Sequence, residues 1–251
     1  MTVGFSLLGA FIGAVAGSTA TALQDRYQNI RSFVIGRSIC PNCKRTLTWF
    51  ELFPIVSWLL FRGRCRTCHA SIGWESFAIE VTYAIVGFGA VYWYGPQWWL
   101  LILAILFVVF GALVLIDMQQ QLLPDVLILA AIPLLLIVGL NAPNVTITAI
   151  GAIEGLLIAG GTLGLLWLLT KGDGIGDGDV KLAAVLGLGL GPSLAIVSVM
   201  SAFILGGVLA AWLLITKRAK FGQRIAFGPL LIIGYAIALF AGPFIIAWYS
   251  Y

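Results

Sequence analysis

This chain has very little charge. Its 251 residues include 14 Lys+Arg and 10 Asp+Glu, so charged residues make up 10%. A soluble domain averages about 25%. Hydrophobic residues reach 61%. Those figures exclude a soluble globular domain and a disordered chain. With four cysteines, the chain is not a disulfide-rich secreted scaffold either. Alternating segments of about ten residues are missing, which excludes a transmembrane barrel. Only one histidine is present, His69. What remains is an all-α, polytopic membrane protein. A span needs about 20 apolar residues, so there is room for roughly eight spans and one soluble excursion.

The few bases fall into three groups. Arg26, Arg31, Arg37, Lys44, Arg45, Arg62, Arg64 and Arg66 lie between residues 24 and 75. Three acids accompany them, which leaves that stretch formally +5. Lys171 and Lys181 flank a glycine-rich segment, and Lys217, Arg218, Lys220 and Arg224 sit near the end. Apolar runs fill the gaps and predict spans at 2–22, 76–95, 98–116, 126–141, 147–170, 180–191, 193–216 and 227–248. With the loop 24–75 in the cytoplasm, eight crossings put every Lys and Arg on the cytoplasmic side, as the positive-inside rule asks. Tyr92, Trp93, Tyr94, Trp98, Trp99, Trp248 and Tyr249 then form an outer aromatic belt. The span at 180–191 is short: twelve residues rise about 18 Å. The same charge rule favours a crossing there, with one end below the membrane surface or a thinner bilayer. No basic region precedes the first apolar run, so residues 1–22 read as a retained span, not a cleaved signal. Gly9, Gly13 and Gly17 have the spacing for close helix packing in lipid.

All four cysteines lie in the basic loop, as Cys40-Pro41-Asn42-Cys43 and Cys65-Arg66-Thr67-Cys68. Twenty-one residues separate the pairs. Four thiolates would make a closed tetrahedral structural zinc site. Two disulfides are the alternative, which a reducing compartment disfavours. A redox pair is a third, without the βαβ frame it would need. His69 reads as a surface neighbour of Cys68. Trp49, Phe50, Leu52, Phe53, Ile55, Trp58, Leu59, Leu60 and Phe61 make the loop too apolar for a solvated linker. They predict either a small core around the metal or a segment lying on the membrane surface.

Carboxylates in or beside spans are costly and are functional candidates. Here they are Glu80, Asp117, Asp125, Glu154, Asp173, Asp177 and Asp179. Asp125 follows Pro124 and reads first as a helix cap, second as catalytic. The run Gly172–Lys181 has four glycines in seven residues and sits at a span boundary. Irregular backbone there must line a cavity or be buried in protein. Asp117 and Asp179 both fall on the cytoplasmic ends of spans. Two carboxylates sharing a site hold one proton between them near neutral pH, which suits peptide hydrolysis. The competing reading is that each merely caps a helix. A second function class is a transporter that moves protons or cations through membrane carboxylates.

Together these residues resemble the type IV prepilin peptidases, membrane aspartyl proteases. The likeness runs through Gly17-Ser18 with Arg26, then Gly36-Arg37-Ser38, the two cysteine pairs, Pro54 with Ser57-Trp58, and Arg62-Gly63-Arg64. It continues through Glu80, Ile116-Asp117, Leu122-Leu123-Pro124-Asp125, Gly174–Lys181 and Phe227-Gly228-Pro229. Thr21, Tyr27-Gln28 and Ala226 depart from the family's usual residues. The resemblance implies that Asp117 and Asp179 are the catalytic pair, since Val180-Lys181 follows Asp179 as in the family. It implies a bacterial inner-membrane enzyme that cuts prepilins or pseudopilins after a glycine at the cytoplasmic face. Methylation of the new N-terminus with S-adenosylmethionine is implied by the cysteine loop. The expected organisation is a first helix over 1–23, a zinc loop domain over 24–75 with Cys40, Cys43, Cys65 and Cys68, and a peptidase core over 76–251. The expected partners are the prepilin and the bilayer, without nucleic acid.

Overall fold

The computed structural model describes residues 2–26, 38–40, 42–143, 145, 147–172, 174–218 and 225–249. Arg31, Gly36, Arg37, Pro41, Asp173, Lys220 and Arg224 lie outside the described residues. The fold is helical, with two isolated bridges and no strand among the described residues. The helices are α1 (Thr2–Arg26), α2 (Val56–Leu60), α3 (Trp74–Tyr94), α4 (Trp99–Gln120), α5 (Asp125–Asn141), α6 (Ala149–Thr170), α7 (Asp177–Leu188), α8 (Pro192–Ile215) and α9 (Gly228–Tyr249). Six of them, α1, α3, α4, α6, α8 and α9, are long and apolar enough to cross a membrane. At 17 and 12 residues, α5 and α7 are shorter. The chain forms two compact units, Met1–Ala112 and Leu113–Tyr251.

In the first unit, α1 and α3 pack antiparallel along the glycine stripe. A Cβ on Gly9 would strike Gly87 and Val91, one on Gly13 would strike Tyr83, and one on Gly17 would lie 2.9 Å from the Glu80 Cα. Lipid supplies little drive for helix association, so close backbone approach is what holds the two helices together. Between these helices the chain makes a 3₁₀ turn (Trp49–Leu52) and α2. No residue of either is buried. These residues therefore do not form the small core expected around the metal: Trp49, Leu52, Phe53, Val56, Leu59 and Leu60 are exposed, and Phe50, Ile55, Trp58 and Phe61 are half-buried. What fixes the segment is its contact with the long helices. Trp58 stacks on Phe77 at 4.4 Å, and Phe53 meets Phe11 at 6.3 Å. Glu80, only 8% exposed, accepts the Ile55 N–H at 2.7 Å. Ile55 has φ +62°, a strained conformation for a β-branched residue, and the carboxylate holds the chain there.

In the second unit, α7 packs against α5, α6, α8 and α9. A 12-residue helix has little stability of its own, and this one draws its stability from the helices around it. Leu182, Ala183 and Leu186 are buried. Gly187 meets Gly155 of α6 backbone to backbone, and Gly160 lies against Ala184. The turn Gly189–Gly191 is buried as well. Gly189 sits against Leu135 and beside Gly139 of α5, while Gly191 approaches Gly151 of α6. The irregular end of this short helix is thus wrapped in protein, where non-helical backbone is tolerable at membrane depth.

Two local expectations change. α4 runs on to Gln120, so Asp117 lies within the last turn of the helix and not at its end. The residue that caps α5 is Pro124, and Asp125 is the first helical residue with no side-chain capping bond. The proline's fixed φ starts the helix, which leaves the Asp125 side chain for Lys181 at 2.9 Å.

Candidate active site

Asp117 is 5% exposed. Its Oδ2 accepts the N–H of Gly228, the first residue of α9, at 3.0 Å. A carboxylate at a helix N-terminus meets unpaired N–H groups and the positive end of the dipole. The fit depends on glycine, because a Cβ on Gly228 would lie 2.7 Å from Asp117 Oδ2. Asp179 is the third residue of α7, and its Oδ2 accepts the Gly176 N–H at 3.2 Å. The capping reading is thus correct for both residues as far as it goes. Asp179 caps its own helix, and Asp117 caps one that starts 111 residues later. The two carboxylates also share a neighbour, since Gly228, which touches Asp117, and Gly178, next to Asp179 in the chain, both lie against Leu123. Leu123 closes the near side, in contact range of Cβ positions on both Gly178 and Gly228.

Of the other acids, Asp177 and Asp125 both pair with Lys181, at 3.3 and 2.9 Å. All three side chains are exposed, and such pairs contribute little stability. Glu154 lies exposed on α6. Glu80 belongs to the first unit and holds Ile55 there.

The cysteines form a second candidate site. All four Sγ atoms lie within 4.8 Å of one another. Cys40 and Cys68 stand 3.8 Å apart. That is about the S···S spacing around a tetrahedral ion with 2.3 Å bonds, and far from a disulfide's roughly 2.05 Å. All four thiols are free. The two pairs sit on matching hairpins. Cys40 N–H donates to Arg45 and Lys44 N–H to Cys40, while Cys65 N–H donates to Ala70 and His69 N–H to Cys65. Bridges Ile39–Thr46 and Arg64–Ser71 close both turns. Lys44 and His69 hold φ of +59° and +55° at equivalent places. His69 is exposed, beside Cys68. Backbone N–H groups of Cys68 and Thr67 hold the Cys65 thiol down to about 6, which favours the thiolate a metal needs. The first hairpin is tied to the 3₁₀ turn by Arg45, which grips Glu51 and pulls its carboxyl down to about 2.

Two family models match the chain. Residues 11–94 match the bacterial Peptidase A24 N-terminal domain, and residues 100–211 match the Type IV leader peptidase family. A prepilin leader peptidase/N-methyltransferase of Aeromonas hydrophila is 36% identical over 224 residues, covering 87% of this chain and 76% of that protein. The chain belongs to this family. A namesake in Burkholderia pseudomallei is 34% identical over 243 residues, covering 94% of this chain and 77% of its own length. Another in Stutzerimonas stutzeri is 31% identical over 262 residues, covering 97% and 90%. No solved structure matches the chain.

The structure thus brings Asp117 and Asp179 together around Leu123 and gathers Cys40, Cys43, Cys65 and Cys68. It adds two residues whose roles the sequence does not reveal. Gly228 donates to Asp117, and Leu123 packs between the two glycines. Both are visible in the sequence only as parts of motifs, because the contacts join positions far apart in the chain.

Proposed function

We propose that Asp117 and Asp179 are the catalytic pair of this prepilin peptidase, and that it works as an aspartyl endopeptidase within the membrane. The observation that supports this reading is a buried Asp117 gathered with Asp179 around Leu123, each aspartate held by a helix-end N–H. Two such carboxylates share a proton, because both cannot ionise easily at close range. The ionised member takes a proton from a water. The protonated member donates to the scissile carbonyl oxygen as the water attacks. That first proton then passes to the leaving amine. Helix-end N–H groups engage Oδ2 of each aspartate, so the shared proton and the water fall to the Oδ1 side. The substrate is a prepilin or pseudopilin, cut after a glycine where its leader meets its apolar helix. Eight crossings of a bacterial inner membrane would put this site at the cytoplasmic face.

Zinc suits Cys40, Cys43, Cys65 and Cys68 by donor type, spacing and hairpin geometry, and its role there is structural. S-adenosylmethionine would supply the methyl group for the second activity, N-methylation, which rests on the relatives' shared name. The transporter reading gains nothing from these relatives.

The test is leader removal from a co-expressed prepilin. Asp117→Asn and Asp179→Asn should each lower cleavage by about 10²–10⁴-fold, the range for loss of a general acid or base, while the protein stays folded and membrane-inserted. Unimpaired processing by either variant would sink the assignment.

A further inference from the structure

The apolar segment after the first cysteine hairpin is built with two faces. On one, Glu51 reaches Arg45, Phe50 lies under the Arg66 guanidinium at 5.5 Å, and Trp58 stacks on Phe77. On the other, Trp49, Leu52, Phe53, Val56, Leu59 and Leu60 are exposed, Trp49 by 75% and Leu60 by 71%. An uncovered apolar face of this size in one short stretch is unusual for a surface in water.

Three observations bear on what covers it. First, the face is continuous with membrane-facing surface. Leu7, Phe11 and Val15 recur at helical spacing on α1 and are exposed, opposite the glycines that pack on α3. Phe53 lies against Phe11, and Trp49 against Phe53, each at 6.3 Å. Second, the contacts lie well along α1, a helix long and apolar enough to cross a membrane. Glu80, which holds Ile55, sits level with Gly17. Phe11 is six residues further from Arg26, about 9 Å along the helix. Third, much of the backbone from Glu51 onward is paired. N–H groups of Glu51, Val56, Ser57, Leu59 and Phe61 donate to carbonyls within the segment or at Thr48, and Ile55 donates to Glu80. Lipid requires such internal pairing, whereas a loop in water does not. Charge agrees with position as well. Arg62, Arg64 and Arg66 follow directly and are exposed, where phosphate headgroups would meet them.

We propose that Trp49–Phe61 is a monotopic anchor, inserted among the acyl chains of the leaflet on the Arg26 side, which seats the cysteine hairpins against the membrane surface. The proposal stands apart from the catalytic assignment. It makes the cysteine loop an integral part of the membrane domain and not a module in the water beyond it.

The test uses the full chain and Trp49→Phe, each reconstituted in phosphatidylcholine–phosphatidylglycerol vesicles with or without mid-chain bromines. The difference between the two proteins' emission isolates Trp49. The expected result is that bromolipid quenches most of this difference signal while aqueous iodide leaves it nearly unchanged. Quenching by iodide but not by bromolipid would place the segment in water and overturn the proposal. Protection from both quenchers would mean that protein covers this face, and would overturn it equally.

Discussion

At the scale of single residues, the site depends on one missing methyl group. Gly228 φ is not among the positive values, so alanine is compatible with the backbone there, and Gly→Ala changes of that kind can even stabilise a fold. Yet an added Cβ would lie 2.7 Å from Asp117 Oδ2 and 3.3 Å from a Leu123 methyl. Gly228→Ala should therefore keep its thermal midpoint within a few degrees while cleavage falls by about 10²-fold, the effect of misplacing a reacting group by about 1 Å. Equal cleavage by variant and wild type would show that the Gly228 contact does not position Asp117. The cysteines follow a different rule, because four thiols that close one metal site would act as one. Purified protein should hold about one zinc per chain. Cys65→Ser should release it, since the remaining thiols cannot close the shell. A metal-free wild type with its thiols paired by oxidation would refute the site.

At the scale of elements, glycine decides where helices meet. Gly155 and Gly161 lie on the same helix, α6. Gly155 faces the Gly187 backbone of α7, whereas nothing stands within 4 Å of a Cβ at Gly161. Gly155→Ala should lower stability by about 1–3 kcal/mol through overpacking, and activity with it, since α7 carries Asp179. Gly161→Ala should be neutral or slightly stabilising. Thermal unfolding in detergent compares the two directly, and a reversed order would contradict a packing role for Gly155. Helices of this kind were the legible part of the sequence. Continuous apolar runs mark α1, α3, α4, α6, α8 and α9 because a span must hide its backbone from lipid along its whole length. Their ends were less legible. Met118, Gln119 and Gln120 looked like a turn, but they extend α4 past Asp117 by almost one more turn. The 49–61 segment was legible as apolar but not as to which face it turns, because that depends on Phe11, Phe77 and Glu80 on other helices. The catalytic candidates stood out as costly charges. Their partner Gly228 did not, because its contact spans 111 positions.

At the scale of the whole molecule, α7 decides the parity of crossings. Six helices satisfy the length and hydropathy of a span, and α5 is short but apolar. If α7 also crosses, the segment after α8 returns to the side of Arg26. Lys217 and Arg218 then share that side with Arg45, Arg62, Arg64 and Arg66, as the positive-inside rule favours. If α7 does not cross, the same bases face outward, against the rule. Contacts within the second unit favour the crossing. The Gly189–Gly191 turn is buried against α5 and α6, near Leu135, Gly139 and Gly151. Residue 139 ends the path of α5 and residue 151 begins that of α6, at the end of those helices remote from Asp125 and Thr170. α7 therefore starts beside Asp125, through the Lys181 ion pair, and finishes near the opposite ends of its neighbours. Reporter fusions read this out. A fluorescent protein that matures only in the cytoplasm should be bright after residue 218 and dark after residue 96, while a phosphatase active only outside should show the reverse. Phosphatase activity after residue 218 would mean that α7 re-enters, and that seven crossings place the last bases outside.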